Sequence, residues 1–110
     1  MKPIKVKTEI KKNWASDPYV MFSTEKHGDI VELDYPAEGR DDVRVYPLKV
    51  NEAEKDHTNH VTFSSLPQGI IGAETACKAW LYGEGYYVEK FVYPTDIESM
   101  RKEAFKTNRK

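Results

Sequence analysis

Apolar and polar positions alternate singly at the start of the chain, with Ile4, Val6, Thr8 and Ile10 separated by Lys5, Lys7, Glu9 and Lys11. A period of two gives one apolar and one charged face, the signature of a half-buried strand. Its lysines would also discourage pairing with a second chain if the strand lies at an edge. After a break over Asn13–Pro18, the segment Tyr19–Thr24 is apolar on both faces and reads as a central strand. Glu25–Gly28 turns the chain into a third strand, Asp29–Leu33. The polar loop Pro36–Asp42 leads to a fourth over Val43–Val50, where Pro47 removes one ladder donor and implies an edge or a bulge. Asn51–Asn59 reads as an acidic loop and His60–Ser64 as a short fifth strand.

The second half changes period. Within Ala73–Tyr82, Ala73, Cys77 and Trp80 or Leu81 fall at helical spacing, and Gly83 stands where a C-terminal cap belongs. Gly85 releases the chain into Tyr86–Tyr93, dense in aromatic and β-branched residues and closed by Pro94. Strict alternation there puts Tyr86, Val88, Lys90 and Val92 on one face and Tyr87, Glu89, Phe91 and Tyr93 on the other, so both faces carry rings. Thr95–Glu98 has capping-box spacing, and the helix it opens places Ile97, Met100 and Ala104 together. The expected architecture is one α+β domain over residues 1–110. It is a mainly antiparallel sheet of five to six strands with two helices packed on one face. The link from His60–Ser64 through the first helix is long enough for a crossover, which allows one parallel pair.

Composition adds a compartment and a charge map. With 39% apolar and 32% charged residues the chain has the balance of a folded soluble domain. The single Cys77 rules out an internal disulfide and points to a reducing compartment, the cytoplasm of a bacterium or a host cell. No apolar run approaches the length of a signal segment or a membrane span. The net charge of −1 hides a sorted distribution: +4 over residues 1–12, +4 over residues 101–110, and −9 between them. Such a field can steer association with a charged partner.

Candidate chemistry is sparse. His57 and His60 lie three apart beside Asp56, but at a loop-to-strand boundary that spacing does not hold two rings on one side, so both read as solvated loop histidines. Cys77 falls on the apolar stripe of the helix and reads as a buried structural thiol. The carboxylates Asp41, Asp42, Glu52, Glu54, Asp56 and Glu84 sit in turns and loops, where solvation keeps them ordinary. The chain shows no nucleophile elbow, phosphate loop or zinc-protease motif, so the expectation is no catalytic residue, no metal and no cofactor. Gly69-Ile70-Ile71-Gly72 has the bare spacing of a nucleic-acid-binding G-x-x-G loop, yet two isoleucines favour a turn packed under the helix.

Two surfaces remain. Trp80, Tyr82, Tyr86 and Tyr87 would anchor a protein interface, with the acidic residues Glu38, Asp41, Asp42, Glu52, Glu54 and Asp56 meeting a basic partner surface. Alternatively, Lys5, Lys7 and Lys11 on one strand face, with Arg101, Lys102 and Lys106 on the last helix, would form a basic stripe for nucleic acid. Trp14, Trp80 or a tyrosine would then stack bases. The run from His60 to Pro94 resembles the strand–helix–strand unit of small bacteriophage host-takeover proteins, through a helix ending in an aromatic, the glycine after it and a strand closing on proline. That resemblance implies a small inhibitor and carries over no residue. The leading expectation is a non-enzymatic binding protein, an inhibitor or accessory factor of phage or mobile-element type acting on a host protein. Nucleic-acid binding is second, and a structural or assembly subunit that forms a homo-oligomer is third.

Overall fold

The computed structural model describes residues 1–36, 39–49, 60–99 and 102. The strands are β1 (Lys2–Lys12), β2 (Pro18–Thr24), β3 (Gly28–Asp34), β4 (Val43–Pro47), β5 (Val61–Phe63) and β6 (Tyr86–Val92), with helix α1 (Leu66–Gly83) between the last two. A second helix, α2, opens at residues 95–99. The sheet runs β5-β4-β3-β2-β1-β6 and is antiparallel except where β6 joins β1 in parallel. It is a curled half-barrel with the helices on one face, the α+β arrangement the patterning predicts. The parallel pair forms as well, but its partner is β1, so β1 is an interior strand and the sheet edges belong to β5 and β6.

The core lies between α1 and the inner face of the sheet. Val6, Val20, Phe22, Val31, Leu33, Val43 and Val45 project from the strands, and Ile70, Ala73, Cys77 and Leu81 descend from the helix. All are buried, as period-2 and period-3.6 stripes facing each other require. Ile10, on the same stripe of β1, lies beyond the helix and stays 40% exposed. The buried Ile97 ties α2 to this core, while Met100 and Ala104 lie outside the described residues.

Several local signals act differently from their sequence reading. Helix α1 begins at Leu66, so Gly69 and Gly72 are helical residues and form no turn. Ser65 caps it, accepting from Gln68 N at 3.4 Å, and Pro67 sits in the first turn where no N–H is needed. The two glycines exist for approach: a Cβ on Gly69 would stand 2.6 Å from Val43 Cγ1, and one on Gly72 would stand 2.2 Å from the Phe63 ring. At the other end Gly85, not Gly83, takes the left-handed conformation, with φ 94°. Its N–H donates to Tyr82 O at 3.1 Å, and its carbonyl accepts from Lys2 N, which seats the start of β1. The first bond of α2 runs from Glu98 N to Pro94 O, so Thr95 is inside the helix instead of capping it.

Two bulges bend the sheet. One falls between Phe22 and Ser23 of β2, where Ile30 is the extra residue of β3. The other falls between Ile4 and Lys5, where Glu89 is the extra residue of β6. A bulge adds twist and reverses the facing of everything after it. Tyr86, Val88, Phe91 and Tyr93 therefore all turn to the core side, and only Tyr87 of the strand's rings is left outside, which corrects the two-faced distribution expected from strict alternation. Phe22 meets Phe91 and Tyr93 edge-on, with centroids 6.1 and 6.0 Å away. The Thr8 hydroxyl donates to Val92 O at 2.7 Å and fastens the end of β6. In β4, Leu48 N donates to Ile30 O, so the N–H that Pro47 lacks belongs to the opposite edge, beyond the described reach of β5. No helix among the described residues is long and apolar enough to cross a membrane.

The close helix–sheet approach makes a test with opposed signs. Gly69→Ala meets a buried, stiff valine and is expected to cost about 1–3 kcal/mol, although alanine is the better helix former by about 1 kcal/mol. Gly83→Ala, where the new methyl meets open space beyond its own turn of helix, is expected to be neutral or to stabilise by up to about 1 kcal/mol. Urea unfolding of the two variants measures both.

Candidate functional site

The face of the sheet turned away from α1 gathers most of the chain's strand-borne charge. Register fixes its rows. Glu9, Met21, Glu32 and Tyr46 lie side by side across β1 to β4, and Lys11, Tyr19, Asp34, Arg44 and Thr62 form the next row. Lys7, Ser23 and Asp29 form a third. Toward β6 the face turns basic, because Lys5 is the direct partner of Lys90. One face therefore has an acidic half centred on β3 and a basic half on β1 and β6.

The acidic half holds a carboxyl pair. Glu32 and Asp34 are two apart in a strand and must share a face. Glu32 is half-buried between Met21 and Tyr46, and its carboxyl is pushed up from 4.5 to about 8. Burial is the largest cause, followed by the hydrogen bond with Asp34 and the negative charges of Asp34 and Asp29. Asp34 Oδ1 is buried with no hydrogen-bond partner among the described residues. The arrangement holds a proton on Glu32 at neutral pH. Of the turn and loop carboxylates singled out in the sequence, Asp41 and Asp42 lie apart from this pair. Asp42 bridges Arg40 at 3.6 Å and Arg44 at 3.4 Å, while Asp41 is exposed. Glu38, Glu52, Glu54 and Asp56 lie outside the described residues.

The four aromatic candidates divide into engaged and exposed. Trp80 is half-buried, its ring edge-on to His27 at 5.2 Å. Tyr86 is half-buried too, edge-on to the same histidine and accepting from Lys26 Nζ at 2.6 Å. Tyr82 is 69% exposed on α1, and Tyr87 is 49% exposed on the far face of β6, so the two do not share a patch. Among the described residues the ring most open to solvent is Trp14, 97% exposed in the β1–β2 turn.

That turn is closed by its own hydrogen bonds. Asn13 Oδ1 accepts from Ala15 N at 2.8 Å and from Asp17 N at 3.0 Å. Asn13 N donates to Asp17 O, Ser16 N donates to Asn13 O, and Ser16 takes a positive φ of 64° to complete the loop.

Among the lysines of the expected stripe, Lys5 and Lys7 share the outer face with Lys90. Lys102 lines a groove at the edge of β6 together with Lys90, although it pairs with Glu98 at 3.9 Å. Lys11 stands apart near the β1–β2 turn, 3.9 Å from Glu9. Arg101 and Lys106 lie outside the described residues. His57 does as well, and His60 is half-buried with its ring 5.3 Å from that of Tyr46, not solvated as its loop position suggests. Cys77 is fully buried as expected, and burial with the nearby Glu74 pushes its thiol up to about 12. Glu74 is itself buried and accepts from the Tyr93 hydroxyl.

Four residues of these surfaces are not singled out by the sequence as protein-binding or basic-stripe candidates, although Trp14 is named there as a base-stacking ring. Glu32 and Asp34 carried a usable signal, two carboxylates at strand spacing. Trp14 carried one too, a large ring inside a polar turn with no periodic stripe to bury it. Lys90 carried none, because only the bulge at Glu89 moves it to the outer face. The chain matches no family model, no curated protein and no solved structure.

The Glu32 proton gives a pH dependence of known sign. The folded chain keeps a proton that the unfolded chain releases, so this contribution is complete below pH 4.5 and declines as pH rises to about 8. Glu32→Gln is expected to flatten the decline and, above pH 8, to raise Tm over that of the parent by at least about 4 °C. Thermal melts across that range read it, and parallel pH profiles for the two proteins would refute the assignment.

Proposed function

We propose that this chain is a non-enzymatic protein-binding module, a small inhibitor or accessory factor, and that it engages its partner with the tip of the β1–β2 hairpin. The observation that carries this reading is Trp14, 97% exposed on a turn that Asn13 locks from within. A tryptophan gains nothing for the fold there. Buried in a partner's pocket it removes about 150–250 Å² from water, a gross gain of about 4–6 kcal/mol. The turn is already closed, so little ordering entropy is lost on docking. Tryptophan is also among the side chains most enriched at the energetic centres of protein interfaces. Ile10, 40% exposed near the same end of β1, extends the apolar contact. The flanking Lys11, Lys12 and Asp17 supply a polar rim.

Of the aromatics singled out in the sequence, Tyr82 remains open as a separate contact on α1, while Trp80 and Tyr86 are held by His27. The resemblance of residues 60–94 to phage host-takeover proteins is compatible with an inhibitor and names no target. Affinity purification of the tagged full chain from nuclease-treated host lysate tests the reading. A stoichiometric protein that Trp14→Ala loses and Tyr82→Ala keeps is the expected outcome, with the Tm of Trp14→Ala unchanged. Equal recovery by both variants would overturn the assignment to the hairpin tip.

A further inference from the structure

The basic half of the outer face is built by an arrangement that costs stability. In the parallel β1–β6 pair, Lys5 and Lys90 are direct partners on strands about 4.8 Å apart. Like charges directly opposite each other repel, and sheets ordinarily avoid them. The pairing exists only because of the bulge at Glu89: counted from Tyr86 and Val88, strict alternation would turn Lys90 toward the core. The bulge turns Phe91 inward and Lys90 outward, so one backbone irregularity both completes the core and creates the cationic pair.

Among the described residues nothing neutralises the pair. Lys5, Lys7 and Lys90 are exposed, and none makes an ion pair or hydrogen bond among the described residues. Lys11, Lys26 and Lys102, by contrast, all have partners. The nearest carboxylate along β6 is the bulge residue Glu89, and on β1 it is Glu9, which lies beside Lys11. At one end of the three lysines stands Tyr87, 49% exposed and directly across from Pro3. At the other stands Val92, 43% exposed and opposite Lys7.

We propose that the outer face of the β1–β6 pair binds a short stretch of single-stranded nucleic acid, with phosphates on Lys5, Lys7 and Lys90 and a base stacked on Tyr87. Charge complementarity selects a polyanion, and the exposed ring beside the lysines selects one with unpaired bases. The acidic half of the same face limits the site. Asp29, Glu32 and Asp34 lie two strands away, so a ligand runs along β1 and β6 and not across the sheet. From Tyr87 to Val92 the track is about 16 Å, room for a few nucleotides. A duplex, with its denser charge, is held off by the acidic body. This site is separate from the hairpin tip, and each can fail without the other.

Fluorescence anisotropy of the full chain with a labelled oligothymidine and an oligouridine, titrated with salt, tests it. Three phosphate contacts on a single strand predict a slope of log affinity against log salt of about −2. The Lys5→Ala, Lys90→Ala double variant is expected to bring that slope to about −0.7. Tyr87→Ala is expected to weaken binding about tenfold with the slope unchanged. Both variants replace exposed groups, and removing the like-charged pair is expected to leave Tm equal or higher. Absence of binding at low salt would overturn the proposal, as would equal binding by the double variant. Displacement of the oligonucleotide by polyglutamate of the same charge, with no effect of Tyr87→Ala, would reassign the face to an acidic protein segment.

Discussion

The span of α1 across the sheet is the constraint on which the rest of this structure depends. The strand before it, β5, lies at one edge, and the strand after it, β6, lies at the other. Six strands set five spacings of about 4.8 Å, so the connection has to cover about 24 Å. An 18-residue helix is about 27 Å long and covers it. The helix can lie flat only if its first turns approach β4 and β5 without side chains in the way, and Gly69 and Gly72 provide that clearance. The close approach puts Ile70, Ala73, Cys77 and Leu81 into contact with the strands and brings the chain to β1 in parallel.

Arrival at β1 determines the surface. Lys2 N meets Gly85 O at the foot of the pair, and Thr8 meets Val92 O at its head. Between them the bulge at Glu89 absorbs the mismatch between the two strands. One extra residue sends Phe91 and Tyr93 to Phe22 and sends Lys90 to Lys5. The packing of the core and the charge of the opposite face are thus set by the same irregularity. The outer face of β3, covered by Met21 and Tyr46 on either side, carries the opposite charge and holds a proton because burial there favours the neutral carboxyl. The two halves of the face, and the open tryptophan beyond the end of β1, are separate surfaces on one sheet.

Much of the fold was legible in the residues. Alternation in Ile4–Ile10 and the doubly apolar Tyr19–Thr24 defined two neighbouring strands, and the five-strand meander followed in chain order. The start of α1 is harder to read: Ser65 and Gln68 stand at capping-box spacing with Pro67 between them, but the two glycines that follow suggest a turn. Their role depends on Val43 and Phe63, which are distant in sequence. The candidate sites were less legible for the same reason. Nothing in the sequence shows that Trp80 and Tyr86 both lie edge-on to His27, or that Lys26 donates to Tyr86. Asp42 looks like part of an acidic loop until Arg40 and Arg44 enclose it.

The sequence by itself determined the α+β class, the burial of Cys77, the two basic ends and the side of β1 on which Lys5 and Lys7 stand. Each of these depends only on composition or on periodicity within one element, which the backbone imposes locally. The tertiary structure alone decided that β6 pairs with β1, that Lys90 faces outward beside Lys5, and that Trp14 is left almost wholly exposed, more so than Tyr82 or Tyr87. It also decided that Glu32 keeps its proton. Those outcomes depend on a bulge and on burial by residues from other strands. Both arise from fitting whole elements together, because a shift of one residue in register reverses every side chain beyond it.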